Sequence, residues 1–172
     1  MATRPQNLNP MSPNGFQLTI QKLPELIYFS QSVNLPGISL PHIPLETMFS
    51  TLKITGTTIE FETLNVEFMV DESMANYMII YNWLIAMGYP QNFDQYITFQ
   101  NTDTRGIVTD LAKNYSDGTL LILGPNNAVV KSITYVDLIP ISLSGLTFAT
   151  TNDDVPYLTA TASFEYNYFT IN

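Results

Sequence analysis

The residue types that do chemistry are scarce in these 172 residues. Histidine occurs once, as His42 in a loop between Pro41 and Pro44, and cysteine is absent. A catalytic triad or a histidine metal site needs partners at fixed spacing, and a lone proline-bounded imidazole brings none. Without cysteine there is neither a disulfide framework nor thiolate chemistry. The carboxylate pairs Asp71-Glu72 and Asp153-Asp154 have the atoms for calcium binding or acid-base work. Adjacent positions on a strand or helix point apart, however, and no calcium-loop spacing surrounds either pair. Helix capping accounts for the first pair and a solvated turn for the second. Gly124-Pro125 lacks the phosphate-cradling GxxxxGK pattern and reads as a hairpin turn. Trp83 and its aromatic neighbours would suit a ligand box, but aromatics at helical spacing more often pack a core. No catalytic, cofactor-binding or metal-binding residue is therefore expected, and no enzymatic activity.

The composition describes a surface instead. Hydrophobic residues make up 45% of the chain and charged residues 12%, the latter about half the usual share. A neutral, polar surface suits a protein whose faces are covered by neighbouring subunits, and equally a secreted or viral β-domain rich in Thr, Ser and Asn. Fifteen Asp and Glu against six Lys and Arg give a formal charge of −9. Lys22, Lys53, Arg105, Lys113 and Lys131 are spread singly, which excludes a cation cluster gripping phosphate. An acidic surface can still face DNA if the polymer has to slide past without sticking. The N-terminal stretch has no apolar signal region, and nothing approaches the roughly 18 apolar residues of a membrane span. Synthesis in a cytoplasm without membrane insertion is the expectation.

The length fits one domain. Residues 1–14, rich in Pro and Asn, read as a flexible arm, and 15–172 as a single β-domain. Alternation predicts strands over Phe16–Ile20, Leu26–Val33, Thr51–Thr55, Phe61–Val70 and, at the end, Leu158–Tyr168. Ile38–Pro44 is interrupted by prolines and reads as an extended loop or edge. Asp71-Glu72-Ser73 caps a helix of about four turns carrying Met74, Tyr77, Ile80, Tyr81, Leu84 and Met87, which Gly88 and Pro90 stop. Gln91 to Asp117 reads as a long loop with a short strand. Thr119–Leu123 and Ala128–Val136 form a hairpin, and Leu138–Phe148, with Pro140 and Gly145, an edge with a bend. About seven or eight strands and one helix favour a mainly β (α+β) fold, a small antiparallel barrel or sandwich with one flanking α-helix.

The order of these pieces resembles the tail-tube proteins of contractile-tailed phages, from Gly15 to Asn172. The residues that carry the resemblance are the Phe16–Ile20 strand, the Val33-Asn34-Leu35-Pro36-Gly37 turn and Thr63–Glu72 leading to Asn76, Tyr77 and Trp83. Leu138–Phe148 and Ala162–Tyr166 complete it. The resemblance implies a structural protein of the virion tail, assembled as hexameric rings whose sheets join into one inner barrel. Rings stack into a tube inside a contractile sheath. The implied partners are further copies of the chain, sheath and baseplate proteins, with DNA crossing the lumen without specific binding and with no cofactor. The tube protein of type VI secretion and the baseplate proteins that start the tube are similar.

If the strand around Phe68 lines the bore, Glu60, Glu62 and Glu67 are the lumen candidates. Ring-to-ring contact is expected from irregular segments, hence from the arm and from Leu35, Pro36, Gly37, Ile38, Pro41 and Pro44. Tyr166 and Tyr168 fit either a core or a contact with a neighbour. Two alternatives stand beside the stacked tube: a tube initiator or tail terminator of the same fold that forms a single ring, and a ligand- or carbohydrate-binding β module.

Overall fold

The computed structural model describes residues 11, 13–102, 114–149 and 157–172. In chain order the elements are β1 (Phe16–Ile20), α1 (Leu26–Phe29), β2 (Ser30–Val33), β3 (Ile38–Ser39), β4 (His42–Glu46), β5 (Thr51–Thr55), β6 (Glu60–Phe61) and β7 (Leu64–Met69). Then follow α2 (Ala75–Gly88), α3 (Asp94–Thr102), β8 (Ser116–Leu123), β9 (Val129–Leu143), β10 (Thr159–Glu165) and β11 (Tyr168–Ile171). The main sheet runs antiparallel in the order β1-β8-β9-β10-β7-β2, with β11 also on β9, while β3 pairs β6 and β4 pairs β5 separately. The fold is mainly β, as expected. Among the described residues the path ends at β1 and β2 without joining them, so the sheet is not a closed barrel.

The long strand β9 makes two layers out of one path. Up to Leu138 it pairs with β8, and over Ile133–Val136 also with β11, while Ile139–Leu143 pairs with β10. Sequence reading divides this stretch into two runs; they are one strand with a kink at Asp137, whose φ is 58°. Short polar side chains tolerate that left-handed conformation better than branched ones. Asp137 is held there from both sides: its N–H donates to Asp117 Oδ1 at 3.2 Å, and Asn167 Nδ2 donates to its Oδ2 at 2.7 Å. Pro140 falls in the half of β9 that pairs only β10, beside a bulge at Ser163/Phe164. The expected edge position is real, since no central ladder loses a donor there.

Alternation fills the space between the layers. Leu18, Ile20, Leu120, Ile133 and Tyr135 from one layer meet Leu64, Val66, Phe68, Ala160, Ala162 and Phe164 from the other, all buried. Burying each large side chain is worth about 1.5–3 kcal/mol. Helix α2 closes one end of this core with Asn76, Ile80, Trp83 and Ala86. The expected stripe is rotated, since Tyr81 is exposed. Trp83 is core, as read: its ring lies 6.4 Å from that of Phe164 and its Nε1 donates to Asn114 O at 3.0 Å.

Four expectations are corrected. Leu26–Val33 is not one strand: a helical turn, α1, precedes β2, because Leu26 N–H and Tyr28 N–H bond back to Leu23 O and Glu25 O. Helix α2 has Met74, not one of Asp71-Glu72-Ser73, at the N-cap position, at φ 57° and without a side-chain cap bond of its own, and of the expected three Asp71 serves the first turn. Asp71 braces the helix from outside, its Oδ1 accepting from Asn76 N–H while Asn76 Oδ1 accepts from Asp71 N–H. The polar stretch after Pro90 contains a second helix, α3, so one flanking helix becomes a pair. Its inner side is mixed: Phe99 stacks on Trp83 with ring centroids 6.4 Å apart, while Tyr96 and Gln100 bond to each other and to Asn114, and such a mixed side leaves no clear apolar periodicity. Finally, the last strand breaks after Glu165, and Tyr168 starts a separate strand on β9. The residues of the expected N-terminal arm lie mostly outside those described, as do Asp153 and Asp154.

Candidate assembly surfaces

The chemistry-bearing residues do not converge. Among the described residues no group of three or more His, Asp or Glu is placed to hold a metal, and no helix is long and apolar enough to cross a membrane. What the fold does present is an outward polar sheet, a protruding ribbon and open strand edges.

The polar sheet is the outer face of β10-β7-β2. Alternation that buries Leu64, Val66 and Phe68 must turn Asn65 and Glu67 outward. Across the ladder Glu67 faces Thr161 and Ser32, and Asn65 faces Ser163. Ser163 Oγ donates to Asn65 Oδ1 at 2.7 Å, and Asn65 N–H donates to Asn34 Oδ1 at 2.6 Å. The result is a surface of hydroxyls and amides with two carboxylates, Glu67 on β7 and Glu165 at the end of β10.

The three glutamates that are lumen candidates are separated. Glu67 is on this face. Glu60 sits on β6 opposite Ser39, off the main sheet. Glu62 is a structural knot: its N–H donates to Gly37 O at 3.0 Å, its Oε2 accepts from Gly37 N–H at 3.2 Å, and its carbonyl accepts from the Tyr166 hydroxyl at 2.8 Å. That knot binds the 34–37 turn to the end of β10.

The contact candidates divide as well. Leu35, Ile38, Pro41, Pro44 and Tyr168 are exposed, but Pro36 is buried and Gly37 is held by Glu62. Tyr166 belongs to an aromatic cluster, with ring centroids 5.1 Å from Tyr135, 5.9 Å from Phe61 and 6.0 Å from Phe169. Burial, and then the Glu62 charge beside it, push its hydroxyl up to about 12. Burial and the Tyr166 charge push Tyr135 still further up.

Sequence reasoning missed the main apolar feature. All residues of β4 and β5 are exposed. Their register sets Ile43 against Ile54 and Leu45 against Leu52 on one face, and the tip residues Met48 and Phe49 are 92% and 94% exposed. The Ile43/Leu45 alternation was the available signal, obscured by Pro44 between them and Pro41 just before.

An exposed apolar ribbon, an outward polar sheet and, among the described residues, unpaired edges are features that suit a subunit of a larger β-assembly. The chain is 30% identical to the tail tube terminator protein of Enterobacteria phage T4 over 146 residues, 83% of this chain and 76% of that one. It belongs to the tail tube terminator family, and is a structural, tube-associated component of a contractile tail. No protein-family model matches it. Its fold is shared with a chain of the anti-feeding prophage tube-terminating cap (TM-score 0.63, 14% identity, 99% of this chain and 95% of that one). It is also shared with a chain of the sheath/tube terminator of the PVC extracellular contractile injection system (TM-score 0.60, 16% identity, 95% and 97%), and with one of the anti-feeding prophage baseplate (TM-score 0.63, 10% identity, 96% and 97%).

Proposed function

We propose that the chain closes the end of the inner tube of a contractile tail as a single ring, not as a repeating subunit of stacked rings. The observation that carries this reading is the 30% identity to the phage T4 tail tube terminator along 83% of the chain. It reverses the order of the two readings reached from sequence, where the stacked tube stood first.

The geometry supports a ring. Among the described residues the β10-β7-β2 layer has two unpaired flanks: β2 at one end, and the Ile139–Leu143 half of β9, which lies beyond the last β8 pair at Ser116/Leu138. Backbone N–H and C=O groups on both flanks, with Pro140 lacking its N–H on the β9 side, allow each copy to pair with the next and continue the sheet around a bore, six copies being the number the resemblance implies. The outer polar face then lines the lumen, with Glu67 and Glu165 as its carboxylates. Like charge toward phosphate keeps DNA from adhering during ejection. Light scattering on the concentrated protein tests the single ring: the mass should level off at one ring, and continued growth with concentration would return the chain to the stacked-tube reading.

A further inference from the structure

The exposed β4–β5 ribbon has one sealed edge and one open edge. Gly56 N–H donates to Pro41 O at 2.9 Å and Thr47 N–H to Ser50 O at 3.0 Å. In an antiparallel ladder, bonded and non-bonded pairs alternate. With the observed register, Ile43/Ile54 and Leu45/Leu52 are bonded pairs; His42/Thr55, Pro44/Lys53 and Glu46/Thr51 are not. The backbone groups of those latter pairs point away from the ribbon. On the β4 edge the middle outward donor is missing, because Pro44 has no N–H and its ring occupies that position. On the β5 edge Thr51, Lys53 and Thr55 all keep theirs.

We propose that the β5 edge accepts a strand from a second copy of this chain, with the face of Ile43, Leu45, Leu52 and Ile54 closing on that copy, and that Pro44 keeps the β4 edge unpaired. The proposal rests on the ring reading and gives its contacts a direction, since a ribbon that pairs along one edge only is docked in one orientation. Charge identifies the occupant. Residues 41–56 contain Glu46 and Lys53 and so sum to zero, which leaves the whole −9 in the rest of the chain. Two such bodies repel. The neutral ribbon, with Lys53 midway along its open edge, is the part of one copy that meets the acidic body of another without that penalty, and the apolar face supplies the area for association.

The test is sedimentation of the full chain and three variants over a concentration series. Lys53→Pro removes an outward donor without breaking a bond inside the ribbon, mirroring Pro44 across the ladder. It should raise the concentration at half-assembly by about tenfold or more, with the melting temperature of the sandwich unchanged. Lys53→Ala keeps the donor and loses only the charge, so its defect should be smaller and should fade in high salt. Ile43→Ser/Ile54→Ser leaves both edges intact and should also weaken assembly. Wild-type rings that persist unchanged in Lys53→Pro would overturn the open-edge proposal while leaving the ring reading standing. A variant that still forms rings but no longer binds tube ends would make the tube subunit the occupant and overturn the choice of a second copy. A wild-type chain that remains monomeric would overturn the ring reading itself.

Discussion

Tyr135 and Tyr166 pack edge to face with ring centroids 5.1 Å apart, yet only the Tyr166 hydroxyl finds a partner, donating to Glu62 O at 2.8 Å. The Tyr135 hydroxyl is buried with no hydrogen-bond partner among the described residues. The same deletion should therefore have opposite effects. Tyr166→Phe should cost about 1 kcal/mol, and Tyr135→Phe should be neutral or stabilising by up to about 1 kcal/mol, since a buried unsatisfied group is removed. Denaturant midpoints of the two variants check this; equal losses would contradict it.

The same pair sets an alkaline limit. Both hydroxyls are raised in the folded chain, Tyr166 to about 12 and Tyr135 higher, whereas a free tyrosine titrates near ~10. A raised folded value means that the native state holds its proton more tightly than the unfolded chain. The associated stability is complete below about pH 10 and is lost as pH climbs toward 12. Denaturation at pH 9 and pH 11 should show that loss, and the Tyr135→Phe/Tyr166→Phe double variant should show a flatter dependence.

The kink in β9 should be sensitive to backbone chemistry. Asp137→Val places a branched side chain at φ 58° and deletes the carboxylate that Asn167 reaches. A loss of about 2–3 kcal/mol is expected, with Asp137→Asn close to wild type. Thermal unfolding of the two variants distinguishes them.

On the polar sheet, Glu67→Gln should leave ring assembly intact and slow DNA release by a factor on the order of two or more, with Glu67→Lys slower still, because the repulsion from phosphate at that position is first removed and then reversed while Glu165 keeps its charge. Single-virion ejection rates measure this. Unchanged ejection in both variants would take Glu67 off the lumen.

What the sequence revealed followed its periodicities. Leu64-Val66-Phe68 and Ala160-Ala162-Phe164 alternate and are the two facing strands of one layer, and the helix over Ala75–Gly88 followed from three- and four-residue spacing. Elements whose inner side is mixed stayed hidden: α3 docks with Phe99 on Trp83 and with Tyr96 and Gln100 bonded to Asn114, and no clear apolar period marks it. The glutamates illustrate a second limit. Alternation placed Glu67 correctly on an outer face, but Glu60 and Glu62 were grouped with it only by proximity in the chain. The hydrogen bonds that turn Glu62 toward Gly37 and Tyr166 are long-range. Prolines hid the ribbon in the same way, since Pro44 reads as a strand breaker unless it is known to sit in a non-bonded pair facing solvent.

The most direct test of the central claim is electron microscopy of tail tubes grown from the tube protein of the same phage, with and without this chain. A terminator should appear as one added ring at a single end of each tube, should halt further growth there, and should form no tubes when concentrated alone. Long hollow tubes built from this chain by itself would contradict the account.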